Sequence, residues 1–204
     1  DGHFMKVGKP YYYVGTNFWY GAILGSEGQG GNRERLCQEL DLMKDIGIDN
    51  LRVLVGSDGE RGVTTKVEPT LQEAPGVYND TILAGLDYLL QEMGKRGMVA
   101  VLYLNNSWEC SGGYSFYLEQ AGAVKQPRPN EDGYPKFMEA MSKYATNTKA
   151  HELFYDYVRF IITRTNRYTG VAYNDDPAIM SWQIGNEPRA FSTEALPAFR
   201  SWLA

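Results

Sequence analysis

Short apolar runs alternate along this chain with longer stretches whose apolar residues recur three and four positions apart. Tyr11–Trp19, Asn50–Val55, Met98–Leu104 and Ala178–Ile184 are rich in aromatic and β-branched residues, which predicts strands. Arg33–Ile46 carries Leu36, Leu40, Met43 and Ile46 on one helical face and stops at Gly47. Asp80–Lys95 carries Ile82, Leu86, Leu89 and Met93 and stops before Gly97. Leu153, Tyr157, Val158, Ile161 and Ile162 mark a third helix, and Thr193–Leu203 begins a fourth. The Met98–Leu104 run is apolar almost throughout, as expected of a strand covered on both faces.

Strand and helix in strict alternation predict an α/β fold with a parallel sheet and right-handed crossovers, either an open doubly wound sheet or a closed barrel. Gly28-Gln29-Gly30-Gly31 follows a strand and precedes a helix, yet it has neither the G-x-G-x-x-G spacing nor the Lys-Ser/Thr of a phosphate loop, so it reads as a plain loop. In a barrel, polar residues gather where the strands end. Here the strand ends read Asn17-Phe18-Trp19-Tyr20, then Arg52 inside an apolar run, then Asn105-Asn106-Ser107-Trp108-Glu109, then Asn186-Glu187-Pro188-Arg189. The expectation is a (β/α)8 TIM barrel of which residues 1–204 supply about the first four βα units, as one catalytic domain incomplete at its C-terminus.

Composition narrows the ligand. The 204 residues are 43% hydrophobic, enough for a sizeable core, and carry a formal net charge of -5. Without a Lys/Arg cluster, neither nucleic acid nor a membrane surface is an expected partner. Aromatic residues make up 13% of the chain, including 15 Tyr and 4 Trp, a supply suited to stacking on ring-shaped ligands. Cys37 and Cys110 read as free thiols, His3 and His151 stand apart with no metal-ligand spacing, and no cofactor is expected. No apolar run reaches membrane-span length, and Asp1-Gly2-His3 lacks the features of a signal peptide.

The strongest string is Ser181-Trp182-Gln183-Ile184-Gly185-Asn186-Glu187-Pro188-Arg189, an apolar run ending in a carboxylate. With Leu51-Arg52-Val53, with Leu104-Asn105-Asn106-Ser107-Trp108 and with Gly112-Gly113, it resembles the N-terminal half of the glycoside hydrolase family 5 barrels, a family of retaining glycosidases. Asn-Asn-x-Trp together with Asn-Glu-Pro-Arg is most similar to the endo-β-1,4-mannanases within it. The resemblance implies a substrate of mannan, glucomannan or galactomannan, and roles for the matching residues. Glu187 would be the general acid/base, kept protonated by an apolar strand end, Trp182 and a negative partner across the cleft. Asn186 would hold the sugar 2-hydroxyl, and Arg52 would steady the ionised nucleophile. Trp19, Asn105, Asn106, Trp108 and Arg189 would bind substrate, with Trp108 the main stacking surface. A cleft cutting polymers implies a secreted, extracellular or periplasmic protein.

Plainer readings stand beside these. Asn186-Glu187-Pro188 could open a helix, Arg52 could be a structural ion-pair partner, and Trp19 or Trp108 could be core. A cellulase or other β-glucanase, and a non-catalytic carbohydrate-binding barrel, are the alternative functions. Glu109–Thr148 and Gly56–Tyr78 are long connections expected to wall a cleft. Retention needs a second carboxylate about 5 to 5.5 Å from the first. The family supplies it from a later strand, so the C-terminal half of the same barrel is an expected partner and would cover the edges of the first and fourth strands.

Overall fold

Four parallel strands form the centre of the protein, described here by a computed structural model over residues 2–60, 62 and 66–204. They follow a two-stranded hairpin, β1 (Met5–Lys6) and β2 (Lys9–Pro10). The sheet comprises β3 (Val14–Asn17), β4 (Ile48–Leu54), β7 (Val99–Tyr103) and β8 (Ile179–Gln183), in the order β3-β4-β7-β8. Between β4 and β7 lies a hairpin of β5 (Gln72–Ala74) and β6 (Val77–Tyr78). The register runs Asn17 beside Arg52, Arg52 beside Val101 and Val101 beside Ser181. The central strands β4 and β7 are largely buried, whereas β3 and β8 end the sheet and are far more open, as expected of the first and fourth strands.

Helix α1 (Gly21–Leu24) follows β3, α2 (Arg33–Asp45) precedes β4, and α3 (Asp80–Lys95) precedes β7. Each long helix starts at an asparagine whose side chain accepts a bond from the first turn: Asn32 from the Arg35 N–H and Asn79 from the Thr81 N–H. Leu86, Leu89 and Met93 of α3 are fully buried. Helices α1 and α3 nearly touch through glycine: a Cβ on Gly85 would lie 2.1 Å from the Ala22 carbonyl oxygen.

The connection after β7 departs from the expected loop. It folds into α4 (Gly113–Gln120), α5 (Pro129–Asp132) and α6 (Tyr134–Ser142) before α7 (Thr148–Ile162), which Asn147 caps, and α8 (Leu196–Leu203) closes the described chain. Tyr114, Phe116, Tyr117 and Leu118 are all buried, and the Tyr114 ring stacks on Tyr144 at 4.0 Å. Within this segment, expected as a whole to wall a cleft, Tyr114, Phe116 and Tyr117 pack into the core, because α4 packs against α6 and α7. Gly56–Tyr78 holds the β5–β6 hairpin and is tied to the same region by the Asp58 N–H, which donates to the Ser111 carbonyl at 2.9 Å; its residues 61 and 63–65 lie outside the described residues. The expected first strand shrinks to Val14–Asn17, since only those residues find a partner in β4.

A second polar knot fastens the segment after α7 to α3. Asp87, with no solvent exposure, accepts from Arg164 Nε at 3.0 Å and Nη2 at 2.6 Å, from Arg167 Nε at 3.1 Å and from the Tyr173 hydroxyl at 2.6 Å. Among the described residues no helix is long and apolar enough to cross a membrane.

Candidate active site at the strand ends

The parallel pairing of β7 with β8 carries on past the strands and fixes the loops that follow. The Asn186 N–H donates to the Asn105 carbonyl at 2.8 Å, the Ser107 N–H to the Asn186 carbonyl at 3.2 Å, and Asn106 bridges to Asn186 in parallel register. The Ser107 hydroxyl donates to the Glu187 carbonyl. Glu187 adopts φ +47°, a left-handed conformation a non-glycine residue seldom holds. Proline at 188 already disfavours the ordinary helical conformation there, and the ladder from the neighbouring loop supports what remains.

Arg52 gathers three strands. Its Nε donates to Gln183 Oε1 at 2.7 Å, Nη1 to Asn17 Oδ1 at 3.4 Å and Nη2 to Asn186 Oδ1 at 3.1 Å, while the guanidinium lies 4.1 Å from the centre of the Tyr103 ring. These acceptors are amide oxygens, so the fixed positive charge remains available to an anion at the rim. Asn186 is held at both ends, since its Nδ2 donates to Asn106 Oδ1 at 3.2 Å.

Glu187 is reached from two directions. Trp108 Nε1 donates to its Oε2 at 2.7 Å, and Arg189 Nη2 donates to the same oxygen at 3.1 Å. The Glu187 side chain is 51% exposed and that of Arg189 56%. Trp108 is half-buried: its ring lies parallel to Phe137 at 5.6 Å, meets Phe191 edge-on at 5.6 Å, and has the Arg189 guanidinium 5.3 Å from its centre. It is therefore Trp108 and Arg189 that hold this carboxyl, where Trp182 was expected.

Asn105 and Asn106 are only 2% and 5% exposed. Asn105 Oδ1 accepts the Asn106 N–H at 2.7 Å, and Asn106 Oδ1 accepts the Trp108 N–H at 3.1 Å, so the pair props the loop from beneath. Trp19 is 45% exposed after β3, meeting Tyr20 edge-on. Cys37 and Cys110 are free thiols, and Asn106 Nδ2 lies 3.4 Å from Cys110 Sγ. His151 Nε2 bonds to the Tyr144 carbonyl at 2.6 Å, a structural contact in the helical layer.

A family model described as GH family 5 beta-mannosidase-like matches residues 1–204. The chain belongs to glycoside hydrolase family 5. Its four strands and their helices are accordingly part of a (β/α)8 barrel. A crystal structure of a glycoside hydrolase family 5 mannosidase from Rhizomucor miehei superposes with a TM-score of 0.86 at 33% identity, over 96% of this chain and 52% of that one. An endo-1,4-beta-mannanase from the same organism gives a TM-score of 0.76 at 26% identity, over 98% of this chain and 53% of that one. Mannan endo-1,4-beta-mannosidase 1 of Oryza sativa subsp. japonica is 30% identical over 200 residues, which is 98% of this chain and 42% of the relative. The chain thus spans about half the length of the relatives it matches.

Around these strand ends, sequence reasoning passed over Gln183, Ser107 and Tyr103, and elsewhere in the fold it passed over Asp58. Gln183 sits in the string that announces Glu187, and its position beside the strand end was the available signal. Asp58 had none. Its carboxyl is buried, accepting from Gln72 Nε2 at 3.1 Å, and burial pushes its pKa up to about 7 against the pull of Gln72, the Gly113 N–H and Lys66.

Proposed function

We propose that this chain carries the acid/base half of a retaining glycoside hydrolase that cuts β-1,4-mannosidic bonds inside mannan, glucomannan or galactomannan chains. The observation that supports it is the setting of Glu187: a half-exposed carboxyl at the end of β8, set by left-handed backbone and gripped through one oxygen only. On this reading Glu187 protonates the departing glycosidic oxygen and then takes a proton from the attacking water. Asn186, fixed by Arg52 and Asn106, meets the sugar 2-hydroxyl, and Arg52 faces the ionised nucleophile, a carboxylate from the second half of the same barrel. Trp19 and Arg189 contact sugars along the cleft, whereas the burial of Asn105 and Asn106 recasts them as support for the loop. The substrate is polymeric, so the protein acts outside the cytoplasm, as one domain with its C-terminal half.

In the full-length protein, Glu187→Gln is expected to lower kcat on galactomannan by about 10²- to 10⁴-fold, the usual worth of a positioned acid/base, with binding retained. Unchanged turnover removes Glu187 from the chemistry, and faster release of reducing sugar from carboxymethyl cellulose than from galactomannan assigns the cleft to glucans instead. Viscosity of galactomannan falling early supports internal cuts, and free mannose accumulating at constant viscosity opposes them.

A further inference from the structure

The two groups that reach Glu187 share a chemical restriction. An indole N–H and a guanidinium are donors only, with no lone pair to offer a proton on the opposite side. Trp108 Nε1 and Arg189 Nη2 both point at Oε2, at 2.7 and 3.1 Å. A proton placed on Oε2 would therefore face two hydrogens and no acceptor, and the protonated carboxyl must carry its hydrogen on Oε1. Trp108 is also poorly suited to be a bare stacking platform. Phe137 lies parallel to it, Phe191 and Tyr134 meet it edge-on, and its backbone N–H is fixed to Asn106. This packing aims the Nε1–H.

We propose that Trp108 is a positioning residue for Glu187, anchoring Oε2 together with Arg189 so that Oε1 alone exchanges protons with substrate and water. The inference rests on the reading of Glu187 as acid/base. In the first step the proton on Oε1 passes to the glycosidic oxygen, which keeps the electron pair of the breaking C–O bond while the second carboxylate bonds to the anomeric carbon. Glu187 is left as the anion, now stabilised by both donors on Oε2. In the second step Oε1 removes a proton from water as the water oxygen bonds to the anomeric carbon and the ester bond to the second carboxylate breaks. Trp108 thus holds the carboxyl in one orientation through both steps, with Oε1 turned to the reacting atoms. Among the described residues Arg189 is the charged group bonded to Glu187, while Arg52 reaches its neighbour Asn186.

The test is Trp108→Phe in the full-length protein, which keeps a flat ring and deletes the donor. The readout is kcat and KM on mannan oligosaccharides, taken separately. With one donor to the anion gone and Oε2 no longer anchored, kcat is expected to fall by roughly ten-fold with little change in KM. An unchanged kcat, with or without a raised KM, overturns the proposal, and a KM raised several-fold points to sugar stacking instead. A measurement on Trp108 itself guards against a misfolded variant: its indole N–H resonance should move in Glu187→Gln, which alters its acceptor, and a resonance that Glu187→Gln leaves in place sinks the idea. The underlying reading has its own control. Glu187→Ala should lose mannan cleavage but regain turnover of a dinitrophenyl β-mannobioside when azide is added. Rescue by azide alongside an unchanged kcat in Trp108→Phe overturns this inference alone, while undiminished mannan cleavage by Glu187→Ala overturns the acid/base reading itself.

Discussion

Two carboxylates of this protein, Asp87 and Glu187, are each bonded to arginine, and they have opposite fates. Asp87 lies at the heart of the helical layer, closed to solvent, with Arg164, Arg167 and Tyr173 distributed over both of its oxygens. Glu187 stands at the rim, half exposed, with both recorded donors on one oxygen. Saturation on both oxygens in a dry setting makes a rivet, because every proton-accepting position is taken and leaving would strand buried cations. Partial saturation beside solvent leaves an oxygen free to exchange a proton. The count and placement of donors, more than the residue type, separate structure from chemistry here.

The comparison breaks most readily at Asp87. Asp87→Ala leaves Arg164, only 13% exposed in its side chain, without its carboxylate, and Arg167 without one of its two. Loss of a buried partner typically costs about 3 to 5 kcal/mol, so urea denaturation of the full-length variant should show a drop of that size. The folded fraction should keep its kcat on galactomannan. A loss under about 1 kcal/mol, or a fall in kcat resembling that of Glu187→Gln, would erase the distinction between rivet and reagent.

Asp58 sharpens the comparison as a third case, buried like Asp87 but facing a neutral amide, a backbone N–H and a more distant Lys66. Burial is the largest influence and raises its pKa to about 7, while an unfolded aspartate titrates near 3.9. Between roughly pH 4 and pH 7 the folded protein therefore binds a proton that the unfolded chain does not. The stability contributed by this group is fully present below the unfolded pKa and is lost as pH rises through about 7. Asp58→Asn removes the titration and keeps an acceptor for Gln72. Its stability relative to the wild type should improve by more than about 1 kcal/mol from pH 5 to pH 8. A difference independent of pH would show that Asp58 is no weaker an acid in the fold than in the unfolded chain.

How much of this was readable beforehand follows the range of the interactions. Helix α3 stands at Asp80–Lys95, where the 3.6-residue stripe and Gly97 put it, because cap and periodicity are local. Helix α4 was illegible: Tyr114 to Leu118 are buried consecutively, so no face is polar and the stripe disappears. Strands β1 and β2 are two residues each, too short for any alternation to register. At the site, the Asn186-Glu187-Pro188 string and the misplaced charge of Arg52 announced themselves. That Arg52 would join Asn17, Gln183 and Asn186 depends on register across four strands, and that Trp108 would offer its N–H rather than its face depends on Phe137 packing from α6. Neither is encoded in spacing along the chain.

The smallest expected effect tests the rim side of the comparison from the cation's end. Arg189 and Glu187 sit 3.1 Å apart with side chains 56% and 51% exposed, and water competes for both charges. Such a pair contributes about 0 to 1 kcal/mol, and an exposed guanidinium over the half-buried indole of Trp108 adds roughly 0.5 to 1 kcal/mol. Arg189→Ala should therefore lower stability by about 0.5 to 2 kcal/mol in urea denaturation, and the deficit should shrink further in high salt because the charges are screened. The same substitution at Arg164, which strips a buried carboxylate of its closest cation, should cost several times as much. Equal costs at the two arginines would mean that Glu187 is locked as firmly as Asp87, and a carboxyl locked in that way could not release a proton to a leaving sugar and recover it within one turnover.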